Sequence, residues 1–312
     1  MRTGAVIVAA GHKSPTLFRP MMPVGDTTVI RRIIIILQQA GVDPVVVITG
    51  KQGDELEKHI SKLQVICLRN DRYEHTQMFD SICMGLKYLE GLCDRALVLP
   101  AKYPLLLTGT VNELLKSTAA AACPVCGGHR GHPVLIRGEL IGKITGYDGP
   151  MGMRGALRQP EIDALMDEIP VEDEGIFWPA EGDGRLAEPP KGRERIPMHP
   201  KVQLALAREE LFFDQSMARF LQITDHTGSM QTACRQMHMS YTKGWKILKA
   251  AEKQLGYPLL ITQSGGAEGG SSLLTPKAKD FLVRFLGMEK ELREDAQKLY
   301  QKYFSMEDQT GL

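Results

Sequence analysis

Ala5-Val6-Ile7-Val8-Ala9-Ala10-Gly11 is an apolar run that stops on a glycine. Apolar side chains at odd and even positions alike mark a strand buried on both faces, as in a parallel sheet. Working outward, residues 29–40 read as a helix closed by Gly41, and 45–49 as a second buried strand closed by Gly50. A helix over 54–63, a strand over 65–68, a helix over 77–89 and a strand over 96–99 continue the alternation, with Phe79, Ile82, Met84 and Leu86 as the core side of the third helix. The β-α-β alternation predicts an α/β fold, a parallel sheet with helices on both faces. Ligands of such sheets sit at the carboxyl ends of the strands, so the loops after Ala9, Thr49 and Leu99 should line any site.

The chain has 312 residues, 43% hydrophobic and 24% charged, an ordinary globular composition at a length that suits two domains. A net charge of +1 says nothing about nucleic acid, for which only local charge counts. No apolar run reaches the roughly 18 residues of a membrane span. The start runs into a strand rather than a signal peptide. The expectation is a cytoplasmic protein with no membrane partner, its six cysteines reduced.

The first loop reads Ala9-Ala10-Gly11-His12-Lys13-Ser14-Pro15-Thr16-Leu17-Phe18-Arg19. A glycine lets the backbone approach a phosphate and basic side chains neutralise it, although one glycine after a strand is equally a simple turn. Together with Val-Val-Val-Ile-Thr-Gly at 45–50, Gln77-Met78-Phe79-Asp80-Ser81, Gly131-His132-Pro133 and the run 148–155, this loop gives residues 1–181 their similarity to a known family. The segment resembles the MobA-like molybdenum-cofactor guanylyl- and cytidylyltransferases. That resemblance implies a Rossmann-like nucleotidyltransferase sheet with a ligand site at Ala9, Ala10, Gly11, Arg19, Lys102 and His132.

The departures from the family matter as much. Ser14-Pro15-Thr16-Leu17 replaces the middle of its loop, which is one residue short, and Arg19 stands where the family has a triphosphate-binding lysine. In Ala101-Lys102-Tyr103-Pro104-Leu105, Lys102 takes the place of the family's magnesium-holding aspartate. A second family aspartate motif falls on 174–181, where Glu181 is the carboxylate. Magnesium wants hard carboxylate oxygens, and phosphoryl-type transfer leans on the metal. An ammonium repels the ion but pairs with a phosphate. No catalytic residue is therefore assigned. The expected role is binding a nucleotide or pterin without turnover, with Mg2+ only if the transferase is active; an active enzyme and an inert scaffold are the alternatives.

Cys123, Cys126, His129 and His132 recur every three residues. Zinc pairs usually lie a dozen or more residues apart, so these four would need a hairpin to converge. No metal site is assigned, and a redox Cys-x-x-Cys lacks its usual surroundings.

Residues 179–200 are rich in proline, glycine and charge and lack apolar periodicity, a linker composition. The expected division is 1–182, a linker over 183–200, and a second domain over 201–312 opened by a strand within 201–213. In that domain 215–226 reads as a helix ended by Gly228. Ser229 caps a second helix with Met230, Ala233, Cys234 and Met237 at helical spacing, and Ser240 caps a third over 241–255, stopped by Gly256. Two helices joined by a tight turn, the second longer and basic, form a helix-turn-helix pattern. Lys243, Lys246, Lys249 and Lys253 on the third helix are opposed only by Glu252. This stripe suits phosphates, while Ser240, Tyr241, Thr242 and Lys243 suit base edges; the plainer reading is a solvated face. Short strands at 259–262 and 272–274 flank a glycine-rich tip, a wing with Ser271 at its base. Thr275-Pro276 starts a long C-terminal helix, on which Phe281, Phe285, Met288, Leu292, Ala296, Leu299 and Tyr303 form an apolar stripe. The stripe either makes a homodimer or packs back on its own domain.

Residues 201–285 resemble the DNA-binding domain of the ModE regulators, related to LysR winged helices, through 228–234 and 239–246. The resemblance implies double-stranded DNA as partner. The molybdate-binding module of those regulators is absent, so molybdate sensing is not carried over.

Overall fold

The computed structural model describes residues 1–11, 18–177, 196, 198–263 and 271–304. The loop residues Lys13 and Ser14 to Leu17, the linker over 178–195 with Glu181, and the wing tip over 264–270 lie outside the described residues. The chain folds as two compact units, Met1–Ile196 and Pro197–Leu312.

The first unit begins with β1 (Thr3–Val8), a short ribbon of β2 (Pro23–Val24) and β3 (Thr27–Thr28), and α1 (Val29–Gln39). It continues with β4 (Val45–Thr49), α2 (Gly53–Ile60), β5 (Ile66–Arg69), α3 (Met78–Leu89), β6 (Arg95–Pro100) and α4 (Thr108–Lys116). After β7 (Ala121–Cys126) and β8 (His129–Arg130) come β9 (Val134–Arg137), α5 (Gly138–Thr145), α6 (Met153–Leu157), α7 (Pro160–Asp163) and β10 (Met166–Pro170).

The sheet runs β10-β7-β9-β6-β1-β4-β5, with β8 paired to β7. Strands β6, β1, β4 and β5 are parallel, but β9 is antiparallel to both β6 and β7. The wholly parallel sheet expected from the sequence is thus a mixed one. The physical reason is the Gly127-Gly128 turn, whose two positive φ angles (56° and 78°) fold β8 straight back on β7 and send the chain on in the reverse direction.

One sheet face, with Ala5, Ile7, Val45, Val47, Leu97 and Leu99, packs on Ile30, Ile33, Ile34 and Leu37 of α1, Leu56 and Ile60 of α2 and Val111 and Leu114 of α4. The other carries α3. A Cβ on Gly85 would lie 2.4 Å from Val6 Cγ1, so only glycine lets that helix approach so closely. Ile82 and Leu86 are buried there, Phe79 is half-buried against Tyr147, and Met84 is 36% exposed, contrary to the expectation that it belongs to the core. Met84 lies two residues from each buried neighbour, about 200° round the helix and so on its outer side.

The second unit opens with β11 (Ala205–Ala207) and β12 (Leu211–Asp214), an antiparallel hairpin where one strand was expected. A turn at 208–210, with Arg208 N–H donating to the Glu210 carbonyl, splits the apolar run. Then follow α8 (Gln215–Thr227), α9 (Met230–Gln236), α10 (Tyr241–Leu255), β13 (Leu260–Gln263), β14 (Ser271–Leu274) and α11 (Pro276–Tyr303). The hydroxyls of Ser229, Ser240 and Thr275 accept from the backbone N–H groups of Thr232, Lys243 and Ala278, and Gly228 and Gly256 end their helices at positive φ. Phe213, Phe220, Leu221, Ala233, Cys234 and Leu248 make the core. Phe213 stands edge-on to Phe281 and Phe285, with centroids 4.9 and 4.8 Å away. A Cβ on Gly244 would lie 2.4 Å from Cys234 Sγ, which shows how closely α10 crosses α9.

Candidate functional site

The strand order reverses between β1 and β6: β4 and β5 lie on one side of β1, and β6 on the other. Such a switch point is where open α/β sheets form their ligand crevice, outside the carboxyl ends of the strands. Ala101 N–H donates to the Val8 carbonyl (2.9 Å), which seats Ala101 and Lys102 beside the end of β1.

Ala9 and Ala10 are buried, and Gly11 has φ +78°. A Cβ on Gly11 would come 2.8 Å from Lys51 Cβ, and Lys51 N–H donates to the Ala10 carbonyl (2.7 Å). The loops after β1 and β4 therefore touch, and Lys51 joins the edge. The sequence reading pointed to the loop after Thr49 without naming a residue in it; the basic side chain next to Gly50 was the available sign. Arg19 is exposed at the start of a 3-10 turn, Arg19–Met21.

Lys102 and His132 do come together. His132 precedes β9, whose antiparallel course brings its start to the end of β6. The His132 ring stacks on Tyr103 (centroids 5.0 Å apart), and Lys102 Nζ lies 4.9 Å from the Tyr103 ring centre. Tyr103, which the sequence reading did not single out, is the shared surface. Burial, then the charge of Lys102, push the His132 pKa down to about 4 against the pull of a hydrogen bond to the Val98 backbone. Its Nδ1 is buried and has no partner among the described residues.

The neutral His132 has a consequence for stability. Its folded pKa of about 4 lies below the ordinary 6.5, so the unfolded chain takes up the proton first as pH falls. The stability present above pH 6.5 is lost down to about pH 4, by at most roughly 3 kcal/mol. Urea unfolding of wild type and His132→Gln at pH 7 and pH 4.5 should show a steeper loss in wild type; equal losses would refute this account.

Magnesium fits these residues poorly. The strand-end position that would supply a carboxylate holds an ammonium, and among the described residues no three His, Cys, Asp or Glu side chains group to hold a metal. Asp173 is engaged elsewhere, by the N–H groups of Leu107 and Gly175 and the hydroxyl of Thr110. As for the cysteines, a strand alternates its faces, so three-residue spacing sends Cys123 and Cys126 to opposite sides of β7. Burial pushes the Cys123 thiol up to about 11, away from a thiolate ligand.

In the second unit the exposed side of α10 carries Tyr241, Thr242, Lys243, Trp245, Lys246, Lys249 and Lys253. Trp245 is 40% exposed. Ser240 is exposed but its Oγ caps the helix. Lys249 differs from its neighbours: its Nζ is 2.6 Å from Glu252 Oε2 and 4.6 Å from the Trp245 ring centre. Glu252 also accepts from Leu259 N–H, so the pair ties α10 to the start of the hairpin. Ser271 is exposed at the start of β14.

Comparison with known proteins gives four findings. Over 75 residues the chain is 33% identical to the transcriptional regulator ModE of Haemophilus influenzae, covering 24% of this chain and 29% of that one. Over 63 residues it is 30% identical to the molybdenum-pterin-binding protein MopB of Rhodobacter capsulatus, covering 20% and 23%. The chain thus spans less than a third of the length of either curated relative. A nucleotidyl transferase structure from Methanothermobacter matches 55% of this chain and 87% of its own at 19% identity and TM-score 0.48. The model of the MobA-like NTP transferase domain matches residues 5–168, more than half of the sequence, and the chain belongs to that family.

Proposed function

We propose that the protein is a homodimeric, DNA-binding transcription regulator whose family domain binds a ligand instead of transferring a nucleotide. The carrying observation is the α9–α10 arrangement. A Ser-capped basic helix follows a tight turn, crosses its predecessor at Gly244 and presents Tyr241, Thr242, Lys243 and Lys246 outward, with an antiparallel hairpin next in the chain. That is how a winged helix-turn-helix offers a recognition helix to the major groove. Likeness to a ModE regulator supports the reading. Lys102 in place of a metal-binding carboxylate supports the ligand-binding role, and likeness to a molybdenum-pterin-binding protein supports a pterin beside a nucleotide as candidate ligand. The test is binding of the purified protein to its own upstream DNA across a salt series.

The second copy pairs through α11. Met288, Leu292, Leu299 and Tyr303 are 49, 38, 53 and 68% exposed, and Ala296 is half-buried between them. A two-fold axis crossing the helix between residues 295 and 296 sets Met288 of one copy against Tyr303 of the other, and Leu292 against Leu299. Beside the stripe, Glu291 and Asp295 precede Lys298 and Lys302, so antiparallel pairing brings acidic ends to basic ends. Rim charges of this kind add little energy but select orientation. Leu292→Asp should turn a dimer into a monomer in sedimentation and weaken binding to a two-half-site operator, with the helical signal unchanged. A monomeric wild type at micromolar concentration would remove the dimer.

Family membership favours a second reading, an active molybdenum-cofactor cytidylyl- or guanylyltransferase with an accessory DNA-binding unit. Magnesium-dependent release of pyrophosphate from CTP or GTP in the presence of the pterin acceptor would establish it.

A further inference from the structure

We propose that the crevice at the ends of β1 and β6 binds an organic phosphate without a divalent metal, Lys102 meeting the phosphate and His132 Nδ1 accepting a hydrogen bond from a hydroxyl or amino group of the same ligand. This rests on the ligand-binding reading of the first unit and names the chemistry of its ligand.

Lys102 leaves the carboxyl end of a central strand at the switch point, where ligands of open α/β sheets lie. Its Nζ stands against the Tyr103 ring, and no carboxylate among the described residues pairs with it. A compact ammonium there supplies the charge neutralisation that a divalent ion would otherwise give a phosphate. Lys51, whose backbone N–H donates to the Ala10 carbonyl, is a second basic residue on the adjoining loop.

His132 supplies the independent observation. One ring nitrogen donates to the Val98 carbonyl, which makes the other, Nδ1, the acceptor of the neutral ring. That acceptor is buried and has no donor among the described residues. Buried polar atoms are nearly always satisfied, and an exception calls for a partner from outside. Burial, and after it the nearby Lys102 charge, keep the ring neutral, so the acceptor persists throughout the physiological range. A cation beside a buried acceptor selects a ligand with an anionic group beside a donor, as in nucleotides and other phosphate esters of polyols.

The test is calorimetric titration of the full-length protein at pH 8 with CTP, GTP and pyrophosphate, each in EDTA and in magnesium. The proposal expects at least one nucleotide to bind in EDTA, with less than about a twofold change on adding magnesium. Lys102→Ala should weaken nucleotide and pyrophosphate alike by tenfold or more. His132→Leu should weaken only the nucleotide, and His132→Asn, which returns an acceptor oxygen, should recover much of the loss. Thermal melts of the free variants separate misfolding from lost recognition. Binding that needs magnesium overturns the proposal while sparing the ligand-binding reading; absence of binding under both conditions overturns both. Equal losses of nucleotide and pyrophosphate in His132→Leu overturn the acceptor role.

Discussion

Replacing Lys243 and Lys246 together by alanine should weaken binding to the upstream DNA by about tenfold or more and flatten the slope of log K against log salt by about 2. Both lysines are exposed on α10 and free of the ion pair that holds Lys249. Each phosphate contact releases about 0.9 of a counterion, so two lost contacts subtract nearly two from the slope. Lys249→Ala is the internal control. Its Nζ is engaged by Glu252 and the Trp245 ring, so the slope should barely move. Thr242→Ala should do the reverse, narrowing the gap between operator and random DNA by roughly 1–3 kcal/mol at an unchanged slope. A double variant with the wild-type slope would remove α10 from the interface. A wild type with no sequence preference at any salt would end the regulator reading and return attention to transferase assays.

Asp173→Ala should cost the first unit about 3–5 kcal/mol and lower its melting temperature by about 10 °C. Asp173 is 2% exposed and accepts from Leu107 N–H (3.0 Å), Thr110 Oγ1 (2.7 Å) and Gly175 N–H (2.9 Å). Alanine strands all three donors out of water, and a stranded donor costs more than a made bond contributes. The acid also fastens the start of α4 to the turn carrying Ile176. That turn accepts the His132 N–H at the Ile176 carbonyl (2.8 Å) and fills the space a Cβ on Gly131 would take. Asp173 is thus a positioning residue for the crevice. Asp173→Asn keeps one acceptor oxygen and should lose less than half as much. Differential scanning calorimetry decides, and a shift within about 2 °C for alanine would show that these bonds do not hold the unit together.

Local pattern was enough for much of this protein. The β4 and α10 spans, the caps Ser229, Ser240 and Thr275 and the stops Gly228 and Gly256 are legible in sequence because each depends on neighbours within a turn of helix or a strand's length. The strand-end loops were legible too, since alternating β and α elements dictate where ligand loops fall. Tertiary structure decided what depends on distant partners. The direction of β9 follows from one glycine turn and from strands contributed by separate parts of the chain, which no local periodicity encodes. Met84 turned outward because the helix's orientation is fixed by Gly85 against Val6. The pairing of Lys249, the stack of Tyr103 on His132, the place of Lys51 and the three donors on Asp173 join residues by packing. The sequence by itself determined which chemical groups are available, through composition and local geometry. Only the fold decided which groups share a dry space, because desolvation and charge act over ångströms rather than along the chain.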